Sequence, residues 1–126
     1  MSVRTCGLVL AALLGFADPA GAQEATERFI PIGQSPGVSG ASAYLGDVVA
    51  VDVPRRTVTV RGPAGDRTIA VTSGTRIWLD RSALRQSNLT GAFADIQVGR
   101  RVEVKYEDPE RRERADWIKV AVPATD

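Results

Sequence analysis

The sequence predicts an all-β fold: a small five-stranded OB-like Greek-key barrel, with a small β-meander or sandwich as the alternative. Three observations predict it. Apolar residues alternate with period two in successive runs between residues 44 and 122, Pro/Gly-rich or charged turn signals separate the runs, and one short stretch after the third run breaks the alternation. Valine-rich segments of this kind expose sheet edges unless the sheet closes on itself, which favours a barrel.

Residues 1–22 have the form of a secretory signal peptide. Arg4 supplies a positive start, Gly7 to Ala17 form an apolar stretch, and Ala20-Gly21-Ala22 gives a small-x-small pattern with cleavage expected after Ala22. The apolar stretch falls short of the roughly 20 residues that span a bilayer, and Asp18 and Pro19 close it. The expectation is an exported, periplasmic or extracellular chain that does not span the membrane.

Residues 23–43 read as a Pro/Gly/Ser-rich arm or linker, crowded with Pro31, Gly33, Ser35, Pro36, Gly37, Ser39, Gly40 and Ser42. Within it Phe29, Ile30 and Ile32 are apolar enough to dock, either on this chain's own barrel or on a partner. The barrel is expected over 44–122. Its first strand is valine-rich, Tyr44 to Val53, and ends at Pro54-Arg55-Arg56. In the second, Val58 and Val60 share one face, with Thr57, Thr59 and Arg61 on the other. Gly62-Pro63-Ala64-Gly65-Asp66 is a turn, because Pro pre-sets its φ and Gly permits φ above zero. The third run places Ile69 and Val71 in phase, is interrupted at Ser73-Gly74-Thr75, and resumes with Ile77 and Leu79; a bulge or a separate short strand both fit.

The segment from Asp80 to Asn88 loses the alternation and reads as a short helix or irregular insert, with Asp80 as a helix N-cap. Val102, Val104 and Tyr106 then face one way, and Arg101, Glu103, Lys105 and Glu107 the other. Glu107 to Arg114 is a charged, solvated hairpin turn around Pro109. The last strand, Ala115 to Val122, puts Asp116, Ile118, Val120 and Val122 in one phase and Trp117, Lys119 and Ala121 in the other, and residues 123–126 form a tail.

One resemblance rests on particular residues: Gly46-Asp47-Val48-Val49-Ala50-Val51-Asp52, Arg56-Thr57-Val58-Thr59-Val60, Val71-Thr72 with Thr75-Arg76-Ile77, and Asp95-Ile96-Gln97-Val98-Gly99-Arg100-Arg101-Val102-Glu103-Val104. Over Tyr44 to Val122 the chain resembles bacterial secreted small β-barrel, OB-like domains of unknown function. The resemblance implies an export-targeted module without enzymatic activity, and it supplies no catalytic residues.

Composition narrows the chemistry. The 126 residues include no His and one Cys, and both that Cys6 and the lone Met1 lie in the expected leader. A mature chain of this composition has no imidazole base, no thiolate nucleophile, no Cys/His metal site and no disulfides, so its stability rests on core packing. Removing Arg4 and Asp18 with the leader leaves 15 basic and 14 acidic groups, a balance that argues against a nucleic-acid surface. Asp47, Asp52, Asp80, Asp95 and Asp116 fall at no metal-loop spacing, and nothing pairs two of them for hydrolysis. No metal site, cofactor or catalytic residue is therefore expected.

Trp78 and Trp117 lie out of phase with the aliphatic residues of their own strands and are expected to face outward, with Arg76 and Lys119 beside them. Such rings stack ligands or anchor interfaces, unless the arm covers them. The resulting expectation is a non-catalytic binding or assembly module using Trp78, Trp117, Arg76 and Lys119, with another envelope protein as partner. A glycan- or cation-binding accessory domain using the same face is the alternative.

Overall fold

The structure, a computed structural model, describes residues 26–124; the expected leader, the first residues of the arm and the last two of the tail lie outside it. The described residues are all-β apart from a helical end at 26–27 and short 3-10 turns. β1 (Ala43–Asp52), β2 (Thr57–Gly62), β3 (Gly65–Ala70), β4 (Arg76–Asp80), β5 (Leu89–Thr90), β6 (Arg101–Tyr106) and β7 (Ala115–Ala121) form one seven-stranded sheet in the order β3-β2-β1-β6-β7-β4-β5. All neighbours are antiparallel except β4 and β7, which run parallel.

Seven strands replace the expected five for two local reasons. The third run divides at Ser73-Gly74-Thr75, where the Thr75 hydroxyl accepts a bond from the Thr72 amide (2.9 Å) and the Thr75 amide donates to the Thr72 carbonyl (3.1 Å). Hydroxyl-to-backbone bonds of this type compete with ladder pairing, so β3 and β4 become separate strands. Leu89 and Thr90 add a two-residue strand against Leu79 and Trp78. The expected helix in the insert shortens to 3-10 turns at Ser82–Leu84 and Phe93–Asp95.

The pairing leaves the sheet without a continuous ladder between β3 and β7, yet the chain crosses that gap. An isolated parallel bridge joins Ala70 to Arg114, the Ala70 amide donates to the Glu113 carbonyl at 2.8 Å, and the Thr75 hydroxyl donates to the Ala115 carbonyl at 2.7 Å.

The inward residues of the alternation make the core. Val58, Val60, Ile69, Val71, Ile77, Val102, Val104, Tyr106, Ile118 and Val120 form one buried cluster with Val48, Ile96 and Ala115. Two bulges shift the phase where alternation misleads. Val49 has no partner between the Val48–Val60 and Ala50–Thr59 pairs, so Val51 rather than Ala50 packs against the core. Asp116 is likewise skipped between the Lys105–Trp117 and Tyr106–Ala115 pairs. It therefore leaves the phase of Ile118 and pairs with Arg76 (2.7 Å) and Lys105 (3.5 Å).

Candidate functional site

β4, β7 and β6 lie side by side, and their outward positions carry the residues singled out by sequence. Parallel pairing sets Arg76 against Trp117 and Trp78 against Lys119, so all four expected site residues meet on one face. The tryptophan rings pack at 5.6 Å between centroids with a 35° tilt, and the Lys119 ammonium sits 4.7 Å from the Trp117 ring centre. Antiparallel pairing places Glu103 opposite Lys119.

This face is not open to solvent. Trp78 is 5% exposed and Trp117 2%, so the expectation of two solvent-facing rings fails. The cause is the segment before β1, which lies over them: Val38 and Ala43 complete a small apolar cluster with the two rings. The wider seal is polar. Lys119, 0% exposed, donates to a Glu27 carboxylate oxygen at 2.6 Å and to the Ile30 carbonyl at 2.9 Å. Glu103, also fully buried, accepts the Gly33 amide at 3.0 Å and the Ser39 hydroxyl. Asp80 divides its carboxylate between the Ile32 amide and the Ser82 amide, both at 2.9 Å. The N-cap position of the Ser82–Leu84 turn is Arg81 rather than the expected Asp80; Asp80 precedes it, accepts the Ser82 amide two residues on, and ties down the arm with its second oxygen. The Asn88 amide donates to the Arg28 carbonyl, and the Ser35 hydroxyl donates to Glu27.

The arm thus docks through its backbone and its acidic residue more than through the apolar side chains named from sequence. Ile30 and Ile32 are half-buried and contribute a carbonyl and an amide, whereas Phe29 is 51% exposed and carries only the Arg28 guanidinium over its ring at 4.6 Å. Glu27, Glu103 and Asp80 were absent from the expected site. Only Glu103 carried a sequence signal, its outward phase on the strand beside Lys119; Glu27 and Asp80 reach the face from segments without alternation.

A second concavity opens where β1 begins and β6 ends. It has a volume of about 200 Å3, and Tyr44, Arg67, Tyr106 and Arg112 supply its polar lining. The Tyr44 hydroxyl donates to the Gly65 carbonyl at 2.6 Å and accepts from the Ala64 amide at 3.1 Å. Gly62 makes room for that ring, since a Cβ there would fall 2.8 Å from Tyr44 Cζ and 2.4 Å from the Leu45 carbonyl oxygen. Arg67 lies over the Tyr44 ring at 5.2 Å. The Tyr106 hydroxyl is buried without a hydrogen-bond partner, as is Arg67 Nε. Burial pushes the Tyr106 phenol above its ordinary value near 10, while the charges of Arg67 and Arg112 pull it back.

Among the described residues no group of three or more Asp and Glu stands where it could hold a metal ion, and no helix is long and apolar enough to cross a membrane. No protein-family model matches the chain, and no curated protein matches it. Among solved structures it is similar to the crystal structure of Ag(I)CusF, at 15% identity over 62% of this chain and 93% of that one, with a TM-score of 0.43. Likeness at that level transfers neither ligand nor site.

Proposed function

We propose that the chain is an exported, non-catalytic binding or assembly module: an OB-like barrel whose tryptophan face recognises a turn-rich peptide segment carrying one carboxylate, supplied in cis by residues 27–39. The seam between Ala70 and Arg114 supports closure. If β3 and β4 are two halves of one strand, the third strand flanks both the second and the last, which is a five-stranded barrel order. The alternating valine strands and the leader-like start of the sequence support export and a small exported barrel.

The observation that carries the segment-recognition reading is the buried Lys119–Glu27 pair. An ion pair taken out of water adds little net stability over a well-packed apolar contact, and its attested use is to fix one geometry. Around it, Asp80 and Glu103 each accept a backbone amide from the arm, contacts made to its main chain rather than to its side chains. The partner chemistry follows: a turn-forming segment with one carboxylate placed to reach Lys119 and two successive amides turned towards Asp80 and Glu103. A buried lysine at the centre of the face disfavours cation binding there. A segment of an envelope protein or the arm of a second copy meets the same requirement.

The test uses the mature chain carrying Glu27→Ala, which weakens the cis arm, and a labelled peptide of residues 26–40. Saturable binding that is lost on adding Lys119→Met is the expected result. A folded Glu27→Ala protein that ignores the peptide would show that the face is only structural.

A further inference from the structure

The concavity at the β1/β6 end is unusual in what points inward there. Along β3, β6 and β1 the inward positions are otherwise filled by aliphatic residues or Gly, as in Ile69, Val102, Val104, Gly46 and Val48, but at this end they become Arg67, Tyr106 and Tyr44. A barrel end needing only closure is filled by apolar side chains. Here it holds a phenol that is 5% exposed with an unpartnered hydroxyl and a guanidinium nitrogen buried without a partner. Buried donors left unpaired are costly, so their persistence in one concavity points to a group that satisfies them when present.

The charge of the lining defines that group. Two guanidinium side chains reach the cleft, Arg67 and Arg112, and no Asp or Glu lines it. Among the described residues Arg67 forms no ion pair; its contact is the Tyr44 ring, 5.2 Å from the guanidinium carbon to the ring centre, and its Nε is buried without a partner. Arg112 is fixed from behind, its Nε donating to the Pro109 carbonyl at 3.1 Å and its backbone held at φ 55° in the β6–β7 hairpin. Arg67 is half-buried and Arg112 exposed, so both charged groups are reached from solvent.

We infer that this cleft binds an oxyanion head group, a phosphate or carboxylate carried on a small ligand, with Arg67 and Arg112 as its charged donors and the Tyr106 hydroxyl as its neutral one. The Tyr44 ring serves as the wall that orients Arg67. The site borders the tryptophan cluster through Ala43 and the end of the arm, but shares none of its charged residues. Its volume of about 200 Å3 suits one head group with a ring-sized substituent.

The experiment titrates the mature protein at low ionic strength with phenyl phosphate and, separately, benzoate, following binding by calorimetry and by amide shifts of the Ala64–Arg67 and Arg111–Arg112 segments. Saturable binding of either probe is expected, and the tighter of the two names the head group. Arg67→Gln and Tyr106→Phe, both folded by circular dichroism, should each weaken binding roughly tenfold or more, the scale of one charge-assisted or buried hydrogen bond. Arg112→Gln should do the same, and 0.5 M salt should weaken binding further. No saturable binding of either probe, or equal binding by Arg67→Gln and Tyr106→Phe, overturns the assignment.

Discussion

Replacing Glu27 by alanine removes the only carboxylate that meets the Lys119 ammonium in the structure. The Lys119 side chain is 0% exposed and that of Glu27 12%, with 2.6 Å between the charged atoms. Without Glu27, Lys119 keeps the Ile30 carbonyl and the Trp117 ring, neither of which carries a full charge. Removing one partner of a buried ion pair costs about 3–5 kcal/mol, because the survivor stays desolvated. The loss falls on the docked arm first: Lys119 regains water once residues 27–39 lift away. If the arm holds on until the sheet unfolds, a domain of roughly 100 residues converts the loss into a fall in Tm of about 15–25 °C. Tryptophan emission and thermal melting, recorded together, read both routes. The expected result is a red-shifted emission at 25 °C, a Tm drop on that scale, or both. A double variant, Glu27→Leu with Lys119→Met, should recover most of the loss, since apolar replacement of a whole buried pair is often neutral or better. An unchanged emission maximum together with a Tm within about 2 °C of the parent would refute the pair's role as the lock.

Three further outcomes follow from single residues. Tyr106→Phe deletes a buried hydroxyl without a partner, so it should raise stability by about 1 kcal/mol in urea unfolding rather than lower it. The same phenol titrates above 10 when folded, so its contribution is intact below the unfolded pKa and is lost as pH rises through the folded value; absorbance at 295 nm should show one tyrosine ionising late, and Tyr106→Phe should flatten the alkaline loss of stability. Gly62→Ala should cost about 1–3 kcal/mol by denaturant unfolding, because the new methyl meets a backbone carbonyl at 2.4 Å as well as the Tyr44 ring.

Much of the fold was legible because alternation reports which residues share a face. Val58 with Val60, Val102 with Val104, and Ile118 with Val120 all entered the core as their phase requires. The bulges at Val49 and Asp116 were not legible, since an extra residue in a strand is fixed by the register of its neighbour. The site was half visible. Trp78, Trp117, Arg76 and Lys119 do meet on one face, but outward in a strand is not the same as wet when a segment far away in sequence covers it. Alanine at both tryptophans therefore removes a buried ring pair, at about 3–5 kcal/mol each, and tests stability rather than binding. The arm itself lacks periodicity because it is held by caps and side-chain acceptors rather than by a ladder. The Tyr44, Arg67 and Tyr106 cleft had a sequence signature, polar residues at inward positions ending the strands, but its meaning depended on three separate strands reaching one end of the sheet.

The most direct measurement is native-state hydrogen exchange at the Ile32 and Gly33 amides, whose acceptors are Asp80 and Glu103. A cis-bound segment that leaves the tryptophan face without unfolding the sheet predicts protection well above that of a free peptide but clearly below that of core-strand amides such as Val104 and Ile118. Exchange at the free-peptide rate would show that the arm is not docked. Exchange only at the global unfolding rate would show that the arm is an inseparable part of the domain and that no segment is exchanged on this face.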